Sequence, residues 1–290
     1  MMTADSKNQD AGLKISYQSK EVYVCPVCEE EFKREELLSG SGRLNAGELT
    51  DELHRLYVPS AKYGSIYPLA YQATVCPNCW FSSMQGDFNR LPKDRIEDVA
   101  DDEDRRREEA GLICHDIDFR APRTLEAGVI SQYLVLRCYD YYKSDSSPTI
   151  KQAVAALRAG WLLDELDTRE QGQHYDWIAV LFKKKAGFLY LEALKREQNG
   201  TETLSAMGNL GPDTDKNYGY EGTIYMAGLL QYKYGDTNDT ARRRDTLAES
   251  KRNLAKMFGL GKSSKNKPGP LIEKSRALYD MIAKELNEFD

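Results

Sequence analysis

The chain has 290 residues, with 40 basic and 46 acidic side chains, a formal net charge of −6 and 41% hydrophobic residues. That length builds a sizeable core without disulfides, and the net acidity disfavours a protein that coats nucleic acid by neutralising phosphates indiscriminately. Apolar stretches such as Trp177–Phe182 fall far short of the ~20 residues that span a bilayer. No export signal stands at the polar Met1–Gly12 end, so the expected location is cytoplasmic.

Residues 1–20 lack periodic apolar positions and are rich in Ser, Lys, Asp and Gln, so they read as a disordered leader. Residues 21–90 read as a small zinc-ribbon-like module. Glu21–Cys25 and Tyr71–Cys76 each carry β-branched and aromatic residues into a Cys-Pro turn, as a short strand feeding a metal knuckle does. The 47 residues between the knuckles contain Gly40, Gly42 and Gly47 and read as an elaborated loop with short elements.

The two turns are Cys25-Pro26-Val27-Cys28 and Cys76-Pro77-Asn78-Cys79. In a reducing compartment such pairs point to metal ligands before disulfides. A two-residue gap lets both sulfurs of a pair reach one ion, so two pairs complete a tetrahedron and leave no open position for water. Cys25, Cys28, Cys76 and Cys79 are therefore the expected ligands of one structural Zn2+. A rubredoxin-like iron site uses the same ligands, and two redox dithiols are the other alternative. Many knuckles place Gly after the second cysteine, whereas Glu29 and Trp80 stand here.

Residues 91–123 are dominated by charge, with eight acids against three arginines in Glu97–Glu109, and read as a solvated helix or connector. From residue 124 to 290 the pattern becomes helical. Leu125, Val129, Ile130, Tyr133 and Leu134 recur at spacings of three and four, as do Ile150, Val154, Leu157 and Trp161. Further amphipathic runs cover Trp177–Leu194, Tyr218–Tyr234, Thr246–Phe258 and Leu271–Leu286, separated by Gly, Pro and Ser breakers. Six helices so joined make three antiparallel hairpins. Small residues seven apart, as at Ala186/Ala193 and Ala248/Ala255, fit helix pairs of the tetratricopeptide kind or an irregular bundle. The fold class is thus mainly α, a small zinc-ribbon-like module followed by a tetratricopeptide-like helical-hairpin array.

Other motifs are weaker. Cys138 sits in an apolar helical stretch and reads as a buried small hydrophobe. Cys114-His115 looks like a nucleophile and base, but adjacent side chains diverge and no triad assembles around them. His54 and His174 have no metal spacing. Gly259–Ser264 imitates the end of a phosphate-binding loop, yet Lys256 occupies the position of the first glycine and the segment follows a helix. Nine bases against two acids in 241–267 form a basic stretch. Tyr218, Tyr220, Tyr225, Tyr232 and Tyr234 recur at helical spacing and read as packing residues that line a groove.

Tyr63-Gly64, Pro68, Tyr71, Val75-Cys76-Pro77-x-Cys79 and Asp87-Phe88, with the first knuckle and Phe32, resemble DUF2225, a bacterial family of unknown function. The resemblance implies a zinc ribbon with a tetratricopeptide-like helical region and transfers no catalysis. No catalytic or organic-cofactor-binding residue is nominated. The reading is an adaptor or scaffold whose helical groove binds a protein or peptide partner. The alternative is a nucleic-acid-associated regulator using the ribbon and the 241–267 stretch, which the overall acidity disfavours. A thiol-dependent enzyme ranks last.

Overall fold

The computed structural model describes residues 14–259 and 269–289. Six short strands lead, forming three separate antiparallel hairpins, and eight α-helices follow among the described residues. Strand β1 (Ser16–Val24) pairs with β2 (Glu31–Leu37) across the first Cys-Pro turn, and β5 (Ala73–Val75) pairs with β6 (Ser82–Met84) across the second. Between them β3 (Asn45–Leu49) and β4 (Arg55–Val58) make a third hairpin, and a 3-10 turn spans Pro68–Tyr71. The expected loop between the knuckles therefore has its own sheet.

Strand β1 begins earlier than the sequence reading placed order. Residues 16–20, assigned there to a disordered leader, are strand, with Ser16 opposite Leu37 and Tyr17 opposite Glu36. Polar cross-strand pairs hold this end: Tyr17 Oη donates to Glu36 Oε2 at 2.5 Å, and Ser16 Oγ donates to Glu35. Such pairs stabilise a hairpin without the apolar alternation that marks a strand in sequence.

Helices α1 (Ile96–Asp101) and α2 (Glu103–Gly111) occupy the charged segment, and α3 (Leu125–Cys138), α4 (Pro148–Arg169), α5 (Tyr175–Gln198), α6 (Gly219–Tyr234), α7 (Thr240–Gly259) and α8 (Gly269–Asn287) form the array. Each of these last six packs on the helix before it. The six periodic runs of the sequence are these six helices. Local chemistry starts them: Thr124 Oγ1 caps α3 by accepting from Ala127 N at 3.1 Å, and Pro148 takes the first position of α4.

Small residues set the helix spacing. A Cβ on Gly128 of α3 would lie 2.6 Å from Ala70 Cβ, and one on Gly160 of α4 would lie 2.9 Å from Lys183 Cγ. Ala179, Ala186 and Ala193, seven apart on α5, are all buried. On α7 the contact differs from the sequence register. Ala248 is half-buried and Ala255 exposed, while Leu247, Leu254 and Met257 make the core.

The buried core runs without interruption from Tyr23 in β1 to Ile282 in α8. Polar ties reinforce it. The tip of the β3–β4 hairpin enters the array: Glu52 accepts from Trp161 Nε1 at 2.6 Å, Lys233 Nζ at 2.6 Å and Tyr234 Oη at 2.5 Å, and Asp51 O accepts from Tyr225 Oη at 2.7 Å. Elsewhere Asp87 Oδ2 receives Lys151 Nζ and Tyr139 Oη, each at 2.5 Å and all buried. Burial and then the Asp87 charge push the Tyr139 hydroxyl far above its ordinary value.

Glu52 gives a pH-dependent prediction. Burial raises its carboxyl pKa, but the hydrogen bonds from Lys233, Tyr234 and Trp161 outweigh this and hold it below the ordinary carboxylate value. A depressed carboxylate pKa contributes stability above the unfolded value and loses it as pH falls through the folded value. Glu52→Gln is expected to cost about 2–3 kcal/mol at neutral pH by leaving Lys233 with only the longer contacts to Asp51, at 3.4 Å, a modest loss because Lys233 is partly solvated. Urea unfolding should show wild type and variant converging below the ordinary carboxylate range; a constant gap would contradict the assignment.

Candidate metal centre

Both knuckles have the same backbone. Cys25 N donates to Glu30 O at 2.9 Å and Glu29 N to Cys25 O at 3.0 Å; Cys76 N donates to Phe81 O at 2.9 Å and Trp80 N to Cys76 O at 3.0 Å. Glu29 and Trp80, the positions where glycine was missed, both sit in the left-handed region at φ 60°. That conformation is costly for a side chain with a Cβ, and Trp80 is held in it from outside. Its ring meets Phe119 edge-on at 5.2 Å, and the Arg107 guanidinium lies 4.6 Å from the ring centroid.

The two turns bring Cys25, Cys28, Cys76 and Cys79 together, with all four Sγ atoms within 4.8 Å of one another. Cys25 Sγ lies 3.6 Å from Cys79 Sγ, and Cys28 Sγ lies 3.5 Å from Cys76 Sγ. A disulfide needs about 2.05 Å, and all four are free thiols. Four sulfurs around a tetrahedral ion at ~2.3 Å lie roughly 3.8 Å apart, so the cluster could hold a metal ion. Cys25, Cys76 and Cys79 are buried and Cys28 is half-buried.

The thiols compete for charge. Hydrogen bonds from Cys25 and then Cys79, with backbone N–H groups of Cys79 and Asn78, pull the Cys76 pKa down to about 2. Its neighbours resist a second charge: the hydrogen bond to Cys76 is the main cause raising Cys25 to about 12, and bonds to Cys25 and Cys76 raise Cys79. One thiolate is stabilised at Cys76, and Cys25 and Cys79 beside it are held neutral.

Three arginines fix the second knuckle from outside. Arg120 Nη1 donates to Pro77 O at 3.1 Å, Arg107 donates to Asn78 O, and Arg106 Nη2 donates to Cys79 O at 3.0 Å. Arg106 is fully buried and also donates from Nη1 to Val99 O at 2.6 Å. Asp102, paired with Arg106, accepts from Arg137 Nη2 of α3 at 3.3 Å. The segment read as a solvated helix or connector thus contains α1 and α2 and, through Arg106, Arg107 and Arg120, binds three successive carbonyls of the second cysteine turn.

The remaining candidates fall apart or are used structurally. Cys114 is buried, its thiol raised to about 12 chiefly by burial, while His115 is exposed. Cys138 is buried within α3. His174 is exposed at the start of α5. His54 has a role that sequence reasoning missed: its Nδ1 lies 2.6 Å from Asp213 Oδ2, and its ring stacks on Trp161 at 4.2 Å. In the basic stretch Arg243 is committed internally, donating from Nε to Glu285 Oε1 at 2.8 Å and from Nη1 to Gln231 O at 2.6 Å. The phosphate-loop-like Gly259–Ser264 continues outside the described residues after Gly259, as do Lys262, Lys265 and Lys267.

The geometry so far describes a mainly α protein with a four-cysteine cluster in short hairpins at its N-terminal end. The family described as an uncharacterized protein conserved in bacteria (DUF2225) matches residues 18–282, and the chain belongs to it. It is similar to a protein of Borreliella burgdorferi described as an uncharacterized protein, at 39% identity over 273 residues, covering 94% of this chain and 98% of the relative. No solved structure matches. No helix among the described residues is long and apolar enough to cross a membrane.

Proposed function

We propose that the protein is a cytoplasmic adaptor or scaffold in which one structural Zn2+, bound by Cys25, Cys28, Cys76 and Cys79, fixes the N-terminal hairpins while the helical array receives a polypeptide partner. The all-thiolate donor set supports zinc, and four protein ligands leave no position at which the ion could activate water. The metal then has a structural task. Recognition falls to the helices.

The observation that carries this reading is an apolar stripe on α5. Trp177, Val180, Leu181 and Phe188 recur at helical spacing on one face and stay 62%, 37%, 42% and 52% exposed. Large apolar side chains left exposed along one helix face, here with Lys184 among them, are a feature of binding faces in soluble proteins. Phe188 also lines a groove of about 530 Å3 formed by α5, α6 and the start of α7, bordered by Lys184, Tyr234 and Arg242. Lys184 and Arg242 make no ion pair among the described residues. A partner segment that alternates apolar and acidic residues matches such a groove.

Paired affinity capture at physiological salt tests the reading, with wild type and Trp177→Ser/Phe188→Ser as baits. These side chains are solvated, so the double variant is expected to keep its melting temperature and lose a defined polypeptide that wild type retains. The same polypeptide on both baits, or none on wild type, would count against the groove.

A further inference from the structure

A second pocket, of about 260 Å3, lies between β4, the chain entering the Pro68–Tyr71 turn and the middle of α4. Its walls are largely aromatic and aliphatic, with Tyr57, Ile66, Tyr67, Trp161 and Leu162 among them. Three ionisable side chains of the His, Arg and Glu classes also line it: His54, Arg55 and Glu165.

Two of these are already occupied. His54 is held by Asp213 and stacked on Trp161. Arg55 Nε donates to Asp215 Oδ2 at 3.1 Å, and Arg55 Nη1 donates to Gly47 O at 2.8 Å. Glu165 makes no ion pair and no side-chain hydrogen bond among the described residues. It stands four residues after Trp161 on α4, so the carboxylate and the indole share a helix face. Further along the wall, burial chiefly raises the Tyr57 hydroxyl, with Asp213 and Asp215 adding to it and Arg55 opposing it.

We propose that this pocket binds a small organic cation, an ammonium on a compact apolar body, with the charge met by Glu165 and the body by Trp161 and Tyr57. The ligand must bring its own positive charge. A neutral guest would bury the Glu165 carboxylate unpaired, and an anion would be repelled by it. Aromatic faces beside a carboxylate favour an ammonium both electrostatically and by contact. The volume suits a fragment-sized ligand or one side chain, below the usual range for larger cofactors. The ammonium could therefore belong to a free amine or to a lysine of a polypeptide.

Calorimetry on the full chain separates these cases, with phenethylamine, the isosteric neutral 2-phenylethanol, and N-acetyl-lysine methylamide as probes. Phenethylamine is expected to bind saturably and about tenfold tighter than the alcohol. Glu165→Gln should abolish that ratio without changing the melting temperature. Tighter binding by the lysine derivative than by phenethylamine assigns the charge to a polypeptide, and the reverse order assigns it to a free amine. Equal binding of amine and alcohol by wild type, or no saturable binding of either ammonium at millimolar concentration, would overturn the proposal. The wild-type comparison needs no variant.

Discussion

Cys76→Ser is expected to reduce bound metal from about one ion per chain to well below half and to destabilise the protein by on the order of 5 kcal/mol. Structural zinc contributes roughly 10–16 kcal/mol of folding free energy in zinc-finger peptides, and a three-ligand remnant keeps part of it. Cys76 is the position to choose because it is fully buried and its Sγ lies 3.5 Å from Cys28 Sγ at the centre of the cluster. The loss should spread beyond the hairpins. Cys25, Cys76 and Cys79 belong to the same buried core as Val129 and Leu134 of α3, so the knuckles cannot open without exposing it. Elemental analysis and thermal unfolding monitored by circular dichroism check both parts. Full metal content with unchanged melting would show that the cysteines are bystanders.

Arg106→Met should be nearly as damaging, costing about 3–5 kcal/mol, the range for breaking a buried charged network by removing one partner. The methionine fills much of the volume but returns none of the donors. Val99 O and Cys79 O lose the Arg106 bonds, and Asp102 loses one of its two arginine partners, keeping Arg137. Because Arg106 bonds to the carbonyl of Cys79, one of the four clustered cysteines, its removal should also loosen the knuckle. A chelator is expected to extract metal faster from Arg106→Met than from wild type. Arg105→Met, on the exposed side of α2 and bonded among the described residues to Glu109 alone, should change stability by less than about 0.5 kcal/mol. Equal effects from the two substitutions would place α2 outside the structure that supports the metal site.

What could be read from the sequence follows from the range of each signal. The cysteine turns and the six helices rest on spacings of two to four residues, so they were legible. The ties between the hairpins and the array were not. Glu52 meets Lys233 across 181 residues and His54 meets Asp213 across 159, distances over which a single sequence carries no local pattern. Arg106 is the instructive case. It lies inside a charge run that resembles a solvated face, yet it follows buried Val99 by seven residues and precedes buried Ala110 by four, the spacing of one helix face. That register was the available clue. Glu29 and Trp80 are the reverse case, since the absent glycine was visible but not the Phe119 and Arg107 contacts that hold Trp80 at positive φ.

The claim that one closed thiolate metal site staples the N-terminal hairpins is tested most directly by metal analysis of the native protein, combined with unfolding before and after chelation. About one zinc per chain is expected, with chelation lowering the melting temperature and zinc restoring it. Iron in its place, or metal-free protein that melts unchanged, would contradict it.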